Sequence, residues 1–362
     1  DQSRVTLTHS ATIVASFRIS ASAVFIDLSL ETNATFAGPT GSSESHLSVD
    51  GMTPEGPNLS HWPGNRTPPQ WKADLSTGIA LRFARAAPEE QEAFLGDVEI
   101  VLNDHYDTDG FGSLLAILRP ELAFAHEELL LAAAATGDFG SWHTWRGFAI
   151  DRVVAKLAAA ESPVRGAFHG IEGSHDRSLA RYRWLIDHAE DVVRGLGQFS
   201  SLYGPEMAQV QQELDAGQRG ALQRRRFAEL DFAVVTSDGP RHRMTLNTLA
   251  GAYRVLHVQN DRDGTRYRYH DRTETWFELV TFHPLPRRDL RPLAAMLDKL
   301  EPARDGTAWC ADAPTEPIPE LWFGVPGRQE YGQVTRVLHP SKLPIERVVL
   351  TFAEFFAGRP QA

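Results

Sequence analysis

The stretch "VEIVLNDHYDTDGFGSLLAIL" (98–118) changes its hydrophobic period from two to about three and a half within a few residues. Nothing else in the chain constrains the fold as much. Val98, Ile100 and Leu102 alternate as one face of a strand over 98–104, and the apolar run over 112–118 has the spacing of a helix, so a β-to-α unit is expected here. Strand alternation places Val101, Asn103, His105, Asp107 and Asp109 on the other face, with one histidine and two aspartates gathered at the strand's end. Ligand-type side chains at i, i+2 and i+4 are separated by about 6.5–7 Å along the strand, and a turn at Gly110 would bring the last toward the others. Carboxylate and imidazole together suit hard cations, Mn²⁺ or Mg²⁺, with Zn²⁺ a borderline case. A helix opening near Gly112 and Ser113 would offer unpaired N–H groups to a phosphate, which makes Ser113 a candidate substrate contact. The plainer alternative is an Asp-Gly turn with a polar histidine on the surface.

Composition bounds what such a site can serve. The chain has 362 residues, 42% of them hydrophobic and 23% charged, enough for a large core shared by two domains. A formal charge of -11 argues against binding duplex nucleic acid or an anionic membrane, and favours a small anionic molecule as partner. The single cysteine, Cys310, excludes an internal disulfide framework, and no apolar run approaches a membrane span, so a cytoplasmic protein is expected. Oligomeric state is not legible.

The expected class is α/β, with a mainly parallel sheet and flanking helices, plus a second part of helices and a small antiparallel sheet. Residues 1–46 read as strands and a Gly/Ser/Pro loop, 47–228 as the α/β metal-site domain and 229–362 as a C-terminal α+β domain. Asp74 or Ser76 could cap a helix carrying Ile79, Leu81 and Phe83. In "SHDRSLARYRWLIDHAEDVVRGLG" (174–197) Leu179, Tyr182, Ile186 and Val193 fall on one helical stripe, read as core. "GPEMAQVQQELDAGQRGALQRRRFAEL" reads as a helix with Arg224–Arg226 on its solvated face. "LDFAVVTS", "AYRVLHVQN", "RYRYHDRT" and "WFELVTF" read as strands, "DLRPLAAMLDKLEP" as a short amphipathic helix, and the remainder up to about residue 328 as irregular.

Further candidates lie in loops. "LSHWPGNRTP" (59–68) offers Asn65 and Arg66 as substrate contacts, with Arg66 able to balance developing charge, and His61 as a general acid. His143 in "SWHTW" is a second candidate acid, or part of an aromatic cluster. Arg266 and Arg268 in "RYRYHDR" form a basic ladder for an anion, or a solvated strand, and Tyr267, Tyr269 and Trp276 are available for stacking or for core packing. His126, Glu127 and Glu128 read as ordinary surface charge. A serine hydrolase using Ser60 or Ser113 is disfavoured, because no Gly-x-Ser-x-Gly elbow occurs.

"HYDTDGFGSLLAIL" resembles the first motif of the DHH phosphoesterase superfamily. That resemblance implies Mn²⁺- or Mg²⁺-dependent hydrolysis, with Asp107 and Asp109 as ligands and His105 as a third. Asp138, after the helix in "AHEELLLAAAATGDFG" with Gly137 as its cap, resembles a later Asp of the same superfamily that completes the metal set. The chain has no Asp-His-His triplet. "LSVDGMTPEGPNLSHWPGNRTPP", "DLSTGIALRF", "NDHYDTDG" and "HEELLLAAAATGDF" together resemble a bacterial family known as a domain of unknown function. The expected activity is hydrolysis of a small phosphorylated or pyrophosphate-type substrate. The alternative is a non-catalytic metal- or ligand-binding protein.

Overall fold

In a computed structural model the described residues are 15–18, 45–98, 100–302, 306–330 and 333–358. Apart from a strand at 15–18, the expected N-terminal strands and loop lie outside them. The fold is mixed α/β, and its contacts divide the chain into two compact units. The first holds the chain up to Asp138, residues His143–Pro205 and the short segment Phe277–Thr281; the second holds Phe139–Trp142, Glu206–Trp276 and Phe282 onward.

In the first unit the strands are β1 (Ala15–Arg18), β2 (His46–Val49), β3 (Asn58–Leu59) and β4 (Ile100–Asn103), in the order β1-β4-β2-β3. β2 runs parallel to both β3 and β4, and β1 is antiparallel to β4. The helices are α1 (Ser76–Ala84), α2 (Pro88–Leu95), α3 (Thr108–Leu118), α4 (Pro120–Ala125), α5 (Glu127–Phe139), α6 (Trp145–Lys156), α7 (Ser174–Asp187), α8 (Ala189–Arg194) and the start of α9 (Ser200–Gln218). Leu47, Val49, Val101 and Leu102 are buried on the sheet, and Phe111, Leu114, Leu115 and Leu118 are buried along α3. Helix α3 lies so close to α1 that a Cβ on Gly112 would come 2.2 Å from Thr77 Oγ1. A glycine is needed there for that approach.

The parallel register does the positioning. Leu47 pairs with Val101 and Ser48 with Leu102, while Val49 pairs with Leu59. Three strands therefore end along one edge, and the residues that leave them, Asp50, Ser60–His61 and Asp104–Asp107, emerge side by side. The carboxyl edge of parallel strands is where open α/β sheets place ligands.

The second unit is built on β5 (Gln223–Phe227), β6 (Phe232–Ser237), β7 (Arg254–Asp261), β8 (Gly264–Asp271), β9 (Ala308–Ala311), β10 (Glu320–Glu330) and β11 (Gln333–Leu338), with helices α10 (Arg243–Ala250), α11 (Arg291–Leu300) and α12 (Ile345–Ala357). The sheet order is β11-β10-β8-β7-β6-β5, β9 also pairs with β10, and β6–β7 is its parallel pair. Phe232, Leu256, Tyr267, Tyr269 and Phe323 pack with Leu293, Leu297, Phe352 and Phe356 on one face. Three expectations change here. Arg224–Arg226 form edge strand β5, since α9 ends at Gln218, just before Gly220 with its positive φ, and Arg225 pairs with Val234. "WFELVTF" is no strand, and Phe277–Thr281 instead belongs to the first unit. The segment read as irregular carries β9 and most of β10, because the alternating Leu321 and Phe323 fill the core.

One buried acid in this unit gives a pH test. Burial pushes the Asp271 carboxyl up to about 6, against the hydrogen bond from Tyr269 Oη and the charges of Arg287 and Arg254. A carboxyl whose folded value is raised stabilises the fold below its unfolded value, and that contribution is lost as pH rises through about 6. Asp271→Asn keeps an acceptor for Tyr269 without the charge. We expect the variant to be about 2–3 kcal/mol more stable than the parent at pH 7, the gap closing toward pH 4, in urea titrations of the full chain. The difference between the two proteins isolates Asp271 from His257, whose imidazole burial holds down to about 4 with the opposite sign over the same window. An unchanged gap at the two pH values would refute the assignment.

Candidate metal centre

The approach to the site begins at an unusual backbone. Asp50 leaves β2 with φ 46, in the left-handed region where aspartate is among the few tolerated residues. Its N–H donates to Leu59 O and its carbonyl accepts from Asn103 Nδ2. The next residue must be glycine for a different reason: a Cβ on Gly51 would meet Asp104 Oδ1 at 2.2 Å, and that carboxylate accepts the Met52 N–H instead.

β4 ends at Asn103, and α3 starts at Thr108, so His105, Asp107 and Asp109 do not share a strand face as alternation predicted. Four residues turn the chain, and the side chains converge by a different route. Asp107 is the N-cap of α3, its carboxylate accepting the Gly110 N–H at 2.8 Å. Asp109 lies in the first turn of α3, fully buried, and reaches to a second helix: it accepts Ser76 N–H at 2.8 Å and Thr77 N–H at 2.7 Å. The N-terminus of α1 is therefore capped from α3, and neither Asp74 nor Ser76 caps it; Leu75 holds the cap position without a side-chain bond. Asp74 instead accepts from Val280 N, Thr281 N and Thr281 Oγ1. Gly110 is helical, and its missing Cβ makes room for Tyr182 Oη and Asn103 Nδ2, not for a turn.

His61 faces the same edge from the residues after β3. Its Nδ1 lies 2.7 Å from Asp74 O, which can only accept, so that nitrogen carries the proton. Burial holds the imidazole below its usual range, although the Asp109 charge and the Asp74 carbonyl pull the other way. The ring is thus neutral, and its Nε2 presents a lone pair. Around that lone pair stand three carboxylate oxygens: Asp138 Oδ2 at 3.4 Å, Asp109 Oδ2 at 3.7 Å and Asp50 Oδ1 at 3.8 Å. His61 Nε2 is buried and makes no hydrogen bond. Lone pairs do not assemble in this way around nothing; the arrangement calls for a cation or shared protons.

A second group adjoins the first. His105 Nε2 lies 2.9 Å from Asp107 Oδ2 and 3.4 Å from Asp50 Oδ2, while its Nδ1 is 2.8 Å from Asp104 Oδ1. Two sets could each hold a metal ion, Asp50–His105–Asp107 and Asp50–His61–Asp109, with ligand atoms within 4.8 Å of one another and Asp50 common to both. Each histidine has its other nitrogen oriented, by the Asp74 carbonyl or by the Asp104 carboxylate, as metal-bound imidazoles usually do. The set around His61 is buried; His105 and Asp107 are 30% and 34% exposed and mark the open side.

The charges explain the titration behaviour. Burial raises Asp50 and Asp138 well above the carboxylate range, and neighbouring Asp107 and Asp109 push the same way. Burial also acts to raise Asp107, but His105, as charge and as hydrogen-bond donor, and the Gly110 N–H hold it down to about 2. Desolvation would lower His105; Asp107, Asp104 and Asp50 together hold it well above the histidine range.

The structure thus brings His105, Asp107, Asp109 and Asp138 together and adds His61, expected as a general acid, to the carboxylates. Asp138 comes from inside α5, which runs on to Phe139, so Gly137 is no cap; a Cβ there would lie 2.9 Å from Asp151 Oδ1. The other candidates are placed elsewhere. The Arg66 guanidinium donates to the carbonyls of Thr53, Glu55 and Gly56, which makes it a loop clamp. Asn65 bonds Trp62 O, Glu278 and the Thr67 N–H. Ser113 is buried in mid-helix, a full turn beyond the α3 N-terminus, and His143 is on the surface. Arg266 pairs with Asp261 and Arg268 with Glu320 within the second unit's own sheet, and Tyr267 and Tyr269 are fully buried there, which leaves no face for stacking a ligand.

Three residues that hold the site were not singled out by sequence. Asp50 follows a short strand in "LSVDG", the same strand-Asp-Gly grammar as the main motif. Phe277 stacks on the His61 ring at a centroid distance of 3.8 Å, and Glu278 donates its N–H to His61 O while its carboxylate accepts from Gly64 N and Asn65 Nδ2.

Fold and geometry together define a mixed α/β protein with a histidine–aspartate cluster at the carboxyl edge of a parallel sheet. The chain belongs to the family of unknown function DUF6687, which it matches over residues 34–362. No curated protein and no solved structure matches it. Among the described residues no helix is long and apolar enough to cross a membrane.

Proposed function

We propose that this chain is a metal-dependent phosphoesterase that hydrolyses a small phosphorylated or pyrophosphate-type substrate. The observation that carries the reading is the neutral His61 Nε2 lone pair buried among the Asp50, Asp109 and Asp138 carboxylates, beside a second set that shares Asp50. Oxygen and imidazole donors without thiolate favour Mn²⁺ or Mg²⁺. Bound there, a pair of such ions would lower the pKa of water and stabilise the departing oxygen. The protein's own part is to orient the ligands: Asp74 O fixes the His61 tautomer, Asp104 fixes His105, and the α1 N-terminus holds Asp109. Phosphoryl chemistry is favoured over other hydrolysis by the resemblance of "HYDTDG" to the first DHH motif. The negative overall charge favours a substrate of nucleotide size or smaller.

The test is metal analysis of the purified chain, followed by a screen of phosphodiester, pyrophosphate and nucleotide substrates with Mn²⁺ and Mg²⁺. We expect Mn²⁺-dependent turnover that Asp107→Ala lowers by at least about a hundredfold, since a ligand and the α3 cap are lost together. Bound metal without turnover on any substrate class would favour the non-catalytic binding protein. A chain that binds no divalent ion would defeat the phosphoesterase reading and leave only a metal-free ligand-binding role.

A further inference from the structure

We infer that Tyr182 is a positioning residue for the metal centre: its hydroxyl fixes the backbone on both sides of Tyr106 and so aims His105 and Asp107 at Asp50. The inference rests on the metal-site reading given above. Tyr182 sits on α7, far along the chain, and is fully buried. Its Oη donates to His105 O at 3.0 Å and accepts the Asp107 N–H at 3.1 Å. One hydroxyl thus uses its single proton on one residue and a lone pair on the next but one, a reciprocal clamp across the segment that carries both side chains.

The surrounding packing is built around that oxygen. A Cβ on Gly110 would come 2.2 Å from Tyr182 Oη, so the first turn of α3 is cut away to admit it. The Tyr182 ring lies against Tyr106 with centroids 4.7 Å apart. Asn103 Oδ1 accepts the His105 N–H at 2.8 Å and Asn103 Nδ2 donates to Asp50 O at 3.3 Å, tying the same segment to the β2 arm. Among the described residues no ladder or helix bond holds residues 104–106 between β4 and α3. The side-chain groups of Asn103 and Tyr182 do so instead. An apolar helical stripe was the sequence reading of Tyr182, and the ring does pack as core; the hydroxyl at its end is what faces the site.

Tyr106 provides the comparison. Tyr106 lies between the same two residues and its hydroxyl also bonds a backbone carbonyl, Val154 O at 2.8 Å, but that hydroxyl bonds the backbone of neither His105 nor Asp107. The experiment is Mn²⁺ titration of the full chain by calorimetry, with Mn²⁺ electron paramagnetic resonance as a second readout, for the parent, Tyr182→Phe and Tyr106→Phe. Loss of a group that orients metal ligands typically weakens binding 10–100-fold. We expect that loss for Tyr182→Phe together with a broadened bound-ion spectrum, and Mn²⁺ affinity within about twofold of the parent for Tyr106→Phe, although both variants should melt earlier, Tyr106→Phe by the cost of one buried hydrogen bond and Tyr182→Phe by that of two. Equal affinity in Tyr182→Phe and the parent overturns the inference, as does an equal loss in both variants, which would mark a general loosening. Parent protein that binds no Mn²⁺ overturns the metal reading itself, a separately visible result. If Tyr182→Phe does not fold, Gly110→Ala keeps the hydroxyl but drives a methyl against it, and parental affinity in that variant overturns the inference equally.

Discussion

Asp109→Ala should lower the stability of the metal-free protein by roughly 3 kcal/mol and reduce any stabilisation by divalent ions to what Asp50–His105–Asp107 provides. Two opposing effects meet at this residue. The carboxylate is fully buried and receives the Ser76 and Thr77 N–H groups at the start of α1; without it both donors stay in the interior with no partner. A buried donor left unsatisfied costs about 1–3 kcal/mol, and the lost attraction between a carboxylate and a helix N-terminus adds to that. Removing one of several crowded negative charges works the other way and offsets part of the loss. The helix contribution is the larger, because the two bonds are short and charge-assisted. Denaturant titration in the presence of a chelator reads the effect directly. A change below about 0.5 kcal/mol would show that α1 needs no cap from α3.

Millimolar Mn²⁺ should raise the melting temperature by several degrees over protein kept in chelator, and Mg²⁺ should do so less strongly. Burial and mutual repulsion hold Asp50 and Asp138 well above the usual carboxylate range, so the metal-free cluster retains protons it would release to a cation. Ligand that binds only the folded chain adds about 4 kcal/mol at a thousand times its dissociation constant. The same addition to His61→Ala should give a smaller rise, because the buried set loses its nitrogen donor while Asp50–His105–Asp107 remains. A melting temperature indifferent to Mn²⁺ would count against the metal centre.

Local pattern carried much of this architecture into view. The change of period after Leu102 announced a β-to-α unit, and His105, Asp107, Asp109 and Asp138 were all identifiable as ligand-type residues before any fold was known. The reason for their convergence was not. Alternation assigned Asp107 and Asp109 to one strand face, whereas the first is an N-cap and the second lies one turn into a helix. Capping won over strand pairing because Asp-x-x-Gly satisfies the α3 N–H groups locally. Asp50 escaped notice because its place beside Asp104 depends on the parallel pairing of β2 with β4, a contact between residues some fifty positions apart. Arg66 looked like an anion fork and serves three backbone carbonyls, since guanidinium chemistry is the same for either acceptor. Arg224–Arg226 read as helical surface, and became a strand once Val234 was there to pair with.

The segment Phe277–Thr281 has a consequence for the order of events during synthesis. Glu278 grips Gly64, 214 positions earlier in the chain, and Phe277 covers the ring of His61. At roughly 5–20 residues per second, translation delivers that cover roughly 10–40 s after the loop it closes. Until then the loop around His61 lacks its aromatic lid and the carboxylate that ties it down, even though every residue of the acidic cluster has already left the ribosome. The nascent chain therefore carries the histidine–aspartate cluster well before it can hold it in place, and a chain cut anywhere before Phe277 would keep the cluster without the piece that finishes it.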